Sequence, residues 1–254
     1  MNINLRQIGK HKASNTPCES CPTARLCFLF SLPTKEQGRF LEIINQRAVV
    51  QRGQLLFDHG EKTTFLHFIC SGSVKTYNNY DSGNQQIIRF GLPGDIIGLD
   101  SMYRKVYGYS AIALETSSVC QVPRNDFQNL AKNSPGLNQQ IIEYLSNEII
   151  HGDGLARVRG QKSARVRLAY FLVFMERRYA RQGFSRDRIN LTMTRREIAD
   201  YLGMSTETVS RTFTQFQKEK IIDIASKQVT IKDRKRMDGY NIPETRPAEE
   251  TTVH

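Results

Sequence analysis

Three cysteines crowd the N-terminal end of the chain in the run CESCPTARLC, at the spacing Cys18-x2-Cys21-x5-Cys27. Thiolates this close on a flexible segment can converge on one metal centre, but three are one short of a closed four-ligand site. Cys70 and Cys120 are the remaining cysteines and the candidates for the fourth position. Two centres match. Spacing alone slightly favours structural zinc, because such sites are common. An iron–sulfur cluster fits as well, since the short Cys21–Cys27 interval suits ligands wrapped around one side of it. Cys70 ends the apolar run FLHFIC, and both it and Cys120 also read as small core residues. An odd number of cysteines in a chain without a signal peptide points away from a disulfide framework and toward metal or redox chemistry.

A second constellation lies in residues 194–216, within LTMTRREIADYLGMSTETVSRTFTQFQKEKII. Thr194-x-x-Glu197 is a capping box and starts a helix. Ile198, Ala199 and Leu202 give that helix an apolar face, and Gly203 ends it. Ser205 caps a second helix after a turn of about three residues, the length a helix-turn-helix requires. Val209, Phe213 and Phe216 fall on one face of the second helix, and Glu207, Ser210, Arg211 and Thr214 on the other. On a recognition helix Arg211 can chelate guanine O6 and N7, Glu207 can accept from cytosine N4, and Ser210 can meet a base or a phosphate. Ser205, Thr206 and Thr208 complete the DNA-facing set at the N-terminal end.

Other elements must position these groups. Residues 31–132 contain short apolar runs broken by glycine, which predict a β-sandwich or barrel. After Pro135 an amphipathic helix follows, with Ile142, Leu145, Ile149 and Ala156 on a narrow seam suited to pairing with a second copy. Gly152, Gly154 and Gly160 weaken it, each by about 1 kcal/mol relative to alanine, so it needs a partner. The stretches IIDIA and QVTIK, joined by Ser226-Lys227, predict a hairpin behind the reading helix, as a wing. The expected organisation is a cysteine segment (1–30), a β-barrel sensor domain (31–132), a dimerisation helix (133–162), a winged helix-turn-helix (163–235) and a flexible tail (236–254). The fold class is α+β.

The 254-residue chain carries a formal charge of +11. Residues 155–220 hold 15 Lys and Arg against 6 Asp and Glu, a net +9, which favours a polyanionic partner. The most apolar helical run, residues 169–175, is far too short to span a bilayer, so a cytoplasmic protein is expected, with no membrane partner.

The CESCPTARLC run, GDIIGLDSM, ALETSSVCQVP, RRYARQGFS and LTMTRREIADYLGMSTETVSR together resemble the FNR branch of the cyclic-AMP-receptor/FNR superfamily of transcription regulators, from about residue 18 to residue 232. The resemblance implies a jelly-roll sensor domain, a dimerisation helix and a winged helix-turn-helix. It implies that Cys18, Cys21, Cys27 and Cys120 hold a 4Fe–4S cluster. Cys70 has no counterpart in that pattern. It further implies that Glu207, Ser210 and Arg211 read a TTGAT-like half-site in an inverted repeat, and that a homodimer responds to oxygen and works with RNA polymerase as activator or repressor. Cyclic-nucleotide-binding relatives carry an Arg-Ser pair where this chain has Tyr107-Gly108, so cyclic AMP is not the expected ligand. Where FNR relatives often place an acidic residue in the dimer helix, this chain has Gly152 followed by Asp153. The competing readings are a cluster-free regulator of the same superfamily, sensing a small ligand or using zinc, and a thiol redox enzyme with a DNA-binding tail. Against the enzyme, the sequence has no convincing nucleophile–base pair, P-loop or dinucleotide-binding glycine pattern.

Overall fold

A computed structural model describes residues 21, 27, 32–44, 46–79, 85–181 and 188–240. Cys18 and residues 241–254 lie outside the described residues. The chain divides into two units, Met1–Gln140 and Ile141–His254.

In the first unit, α1 (Thr34–Glu42) precedes eight strands and α2 (Arg124–Lys132) follows them. The strands are β1 (Gln46–Val50), β2 (Leu55–Phe57), β3 (Phe65–Ser71), β4 (Val74–Asn79), β5 (Gln85–Gly91), β6 (Ile96–Ile97), β7 (Ser110–Ala113) and β8 (Ser117–Pro123). They form two four-stranded sheets, ordered β1-β8-β3-β6 and β2-β7-β4-β5, with every pairing antiparallel. The expected barrel is thus a jelly-roll-like pair of sheets that is not closed, because no strand of one sheet pairs in a backbone ladder with a strand of the other among the described residues.

Side chains alternate across a strand, so each strand has two addresses. Ala48, Val50, Ile69 and Val119 join Phe57, Val74 and Tyr107 in the apolar core. Their alternates Arg47, Phe68 and Cys120 share the opposite, outer face of the first sheet, where Arg47 pairs with Cys120 and Cys120 with Phe68 in register. Phe68 there meets Phe40 of α1 edge-on, with ring centroids 5.5 Å apart, and Phe127 of α2 at 6.2 Å. The two helices therefore cover the outer face, and the chain N-terminal to α1 is the part that carries the remaining cysteines.

The turn from β3 to β4 depends on Gly72. Its φ is +81°, and a Cβ there would sit 2.7 Å from the Cα of Ser117. Left-handed backbone and lack of space both demand glycine.

The 25-residue helix α3 (Pro135–Arg159) runs through Gly152 and Gly154 without a break and enters the second unit. In that unit, Ile142 and Ile149 are each 65% exposed and Leu145 is 37% exposed, with Ala156 exposed on the same stripe. Then come α4 (Ala164–Arg181), β9 (Arg188–Asn190), α5 (Arg195–Leu202), α6 (Thr206–Lys218), β10 (Ile222–Ala225), β11 (Gln228–Ile231) and α7 (Arg234–Asp238). The wing is a three-stranded sheet ordered β10-β11-β9, one strand more than the hairpin expected. Residues 236–240, assigned from sequence to a flexible tail, are folded: Met237 of α7 is fully buried, and the Tyr240 ring packs 5.5 Å from Phe216. No helix among the described residues is long and apolar enough to cross a membrane.

Replacing Gly72 with alanine is expected to cost about 2–4 kcal/mol, combining left-handed strain with overpacking against backbone. Urea unfolding of the variant checks this, and an unchanged midpoint would contradict the geometry.

Candidate nucleic-acid interface and thiol centre

The reading unit is built from caps inward. The Thr194 side chain accepts from the Glu197 amide at 3.2 Å, and the Glu197 carboxylate accepts from the Thr194 amide at 2.7 Å, closing the capping box. Gly203 ends α5 with φ +65°, the left-handed cap that glycine adopts without strain. Ser205 then accepts from the Thr208 amide at 3.1 Å and starts α6. Val209, Thr212, Phe213 and Phe216 are buried, while Glu207, Ser210, Arg211 and Thr214 are exposed along the other face. The six residues assigned to DNA thus divide. Thr206, Glu207, Ser210 and Arg211 lie on the open face, and Ser205 and Thr208 are tied to each other, hydroxyl to hydroxyl at 2.8 Å, as part of the cap. Ser210 donates to the Thr206 carbonyl at 2.9 Å, which leaves its oxygen able to accept.

Several of the basic residues that made this stretch look like a solvated cationic surface have internal work. Arg159 donates to the Tyr201 carbonyl at 2.8 and 2.6 Å, and Arg167 to the Gly203 carbonyl at 2.8 Å. Both satisfy carbonyls at the C-terminal end of α5 and place positive charge where the helix dipole favours it. Arg195 lies 3.4 Å over the Phe213 ring and ties α5 to α6. Arg165 makes a two-pronged ion pair with Glu219 at 2.7 and 2.6 Å, and its hydrogen bonds to Glu219 hold that carboxyl below the usual range. Composition alone does not separate these internal arginines from those left facing solvent.

The thiol centre lies on the outer face of the first sheet. Between Ile69 and Ser71 the β3–β8 register slips, so Cys70 is the extra residue of a bulge. Its sulfur lies 3.2 Å from that of Cys120. Both are buried, at 6% and 7% exposure. Arg47 stands beside them, 9% exposed, and its Nε and Nη2 find no hydrogen-bond partner among the described residues. Burial works against the charged guanidinium, but the neighbouring sulfur groups of Cys70 and Cys120 more than offset it, and Arg47 stays protonated. Hydrogen bonds from Cys70 and from Arg47 bring the Cys120 thiol down to about 6, while the same bond to Cys120, together with burial, pushes Cys70 up. Cys21 is close enough to act electrostatically on Arg47 and Cys70. Cys27 is half-buried. Among the described residues, no three of the expected ligands stand together as a ready metal site. The pairing of Cys70 with Cys120 and the presence of Arg47 were both missed from the sequence. The only available signal was that Arg47 alternates with core residues in the run QRAVV.

The sequence comparisons decide the family. The Crp-like helix-turn-helix domain matches residues 166–240, and the cyclic nucleotide-binding domain matches residues 47–134. The chain is similar to the anaerobic regulatory protein of Pasteurella multocida, 38% identical over 85% of this chain and 79% of that one. It is also similar to the fumarate and nitrate reduction regulatory protein of Yersinia pestis, 36% identical over 87% and 88%. It belongs to the FNR branch of the Crp/FNR superfamily. Among solved structures, FixK2 from Bradyrhizobium japonicum superposes with a TM-score of 0.71 at 27% identity, over 79% of this chain and 98% of that one. As an FNR-type protein the chain is a transcription regulator with a DNA-binding helix-turn-helix, and not an enzyme.

Thr194→Ala is expected to lower stability by about 1 kcal/mol through loss of the capping box. Glu207→Ala, on the open face, is expected to leave it unchanged within about 0.5 kcal/mol. Chemical denaturation of both variants checks the division between residues that build α5 and α6 and residues left on the open face of α6.

Proposed function

We propose that this FNR-type regulator is an oxygen-responsive switch whose thiol centre takes a 4Fe–4S cluster, with Cys18, Cys21, Cys27 and Cys120 as ligands. The observation that carries the reading is the buried Arg47 beside Cys120. A buried cation is costly unless anionic groups meet it, and Arg47 keeps two donors, Nε and Nη2, beyond its bond to Cys120, which marks a place for a further anionic group. A thiolate-ligated cluster is such a group, and Cys21 already lies near enough to Arg47 for its charge to be felt there. A cluster bound here would supply lability to oxygen. The chain's own part is to tether residues 18–27 to the outer face of the first sheet through Cys120 and to bias α3 toward pairing. The signal is transmitted only if the tethered state favours the dimer.

The exposed stripe of Ile142, Leu145, Ile149 and Ala156 is the proposed dimer seam. Two reading units related by a dyad then face successive major grooves, with Glu207, Ser210 and Arg211 over a TTGAT-like half-site. Thr206 sits beside them, and Ser205 and Thr208 serve by holding the N-terminal end of α6. Action on transcription as activator or repressor proceeds with RNA polymerase as partner, in the cytoplasm.

Cyclic AMP is not the proposed ligand. Where nucleotide-binding relatives have the phosphate-gripping Arg, Tyr107 is 3% exposed. It stacks on Phe57 with centroids 3.7 Å apart and donates to the Phe65 carbonyl at 2.6 Å. An aromatic held in the core by these contacts does not supply the positive charge that grips a cyclic phosphate, which supports this reading.

Protein purified without air should contain four iron and four sulfide per chain, with Mössbauer signals that change on brief air exposure. A colourless protein holding zinc would refute the cluster. For the reading face, Arg211→Ala should lose about 1–3 kcal/mol of discrimination at the half-site guanine. Equal losses at every substituted position would instead make Arg211 a phosphate contact.

A further inference from the structure

Cys70 is the cysteine that the ligand set leaves over, and it is also the one the fold has aimed. Without the bulge it would continue the alternation of β3. With it, Cys70 has no ladder partner across β8, and its sulfur comes to rest 3.2 Å from Cys120. A bond of about 2.0 Å needs the two sulfurs to approach by only about 1 Å. Both are buried on neighbouring strands of one sheet, shielded from bulky reagents in the folded protein.

We propose that Cys70 and Cys120 are an oxidisable dithiol. When Cys120 is not occupied by metal, a small hydroperoxide converts the pair to a disulfide, and the closed pair keeps Cys120 from ligating metal until a thiol reductant reopens it. The second half rests on the proposed role of Cys120 as a cluster ligand; the first does not.

The chemistry closes with hydrogen peroxide as oxidant. The Cys120 sulfur attacks one peroxide oxygen, the O–O bond breaks, and a sulfenic acid forms. The departing hydroxide takes the proton that Cys120 has lost and becomes water. The Cys70 sulfur then attacks the Cys120 sulfur, the S–O bond breaks, and the second hydroxide leaves as water with the proton from Cys70. Two thiols lose two electrons and two protons, and one peroxide becomes two waters. Cys70 is thus the resolving residue, and proximity makes its attack intramolecular. A fresh cluster requires the disulfide to be reduced first, so peroxide exposure would leave a memory that oxygen alone would not.

Full-length protein, stripped of metal and reduced, is treated with equimolar hydrogen peroxide, unfolded in guanidinium while being capped with N-ethylmaleimide, digested and mapped by mass spectrometry. The expected product is a Cys70–Cys120 linked peptide pair, lighter by two hydrogens than the reduced peptides and lost after dithiothreitol. It is absent from Cys70→Ala and Cys70→Ser, whose folding is checked by circular dichroism. The pairing fails if Cys70 stays alkylatable while Cys120 is oxidised or joined to Cys18, Cys21 or Cys27, or if both remain thiols. In parallel, the oxidised and reduced wild-type proteins are supplied with ferrous iron and sulfide without air. Loss of iron uptake on oxidation, restored by dithiothreitol, supports the exclusion. A mapped disulfide with undiminished uptake overturns it. Should the reduced protein take up no iron, the cluster reading falls while the peptide map still decides the dithiol.

Discussion

A guanidinium held out of water on the face of a β-sheet constrains this molecule more than any other group. Arg47 occupies one side of β1 and Ala48, fully buried, the other. A one-residue slip of β1 would drive the cation into the apolar core and bring the alanine out. Register and charge are therefore locked together. The guanidinium can stay only where anionic or acceptor groups meet it, and β8 brings Cys120 opposite it while the bulge in β3 brings Cys70 alongside. The meeting of Arg47, Cys70 and Cys120 on this face follows from that register.

The second unit uses arginine in the opposite way. Arg159 and Arg167 close the carbonyl end of α5, Arg195 lies on Phe213, Arg165 grips Glu219, and Arg234 bonds to the buried Glu176 at 2.5 Å. Arg195 and Arg165 bear on α6 itself, and the others on the elements around it, while Glu207, Ser210 and Arg211 stay on its open face. The local positive field is a by-product of that architecture as well as an attraction for phosphate. Ile142, Leu145 and Ile149 are exposed on one stripe of α3, and in the proposed dimer the same stripe of a second copy would cover them.

Belonging to the FNR branch fits both halves without requiring the nucleotide chemistry for which the sensor domain's matching family is described. Phe57, His67, Tyr107 and Tyr109 pack against one another inside the sheets, with Phe57 in contact with all three other rings. These rings occupy the space between the sheets, and the proposed thiol centre lies on the other, outer face of the first sheet.

What the sequence determined by itself is local. Thr194-x-x-Glu197, Gly203 and Ser205 specify two helices and the turn between them, because a cap is satisfied within four residues of itself. Ser226-Lys227 specifies the wing's turn in the same way, with Ser226 at φ +57°. The apolar stripe of α3 was legible from its period. Only the tertiary structure decided that two sheets stay open, that β9 joins the wing, that Met237 is core, and that Arg47, Cys70 and Cys120 meet. The partners in that meeting are separated by tens of residues, and their contact depends on strand order and on one bulge. No short-range pattern encodes those features, since each arises from the register of strands distant in the chain.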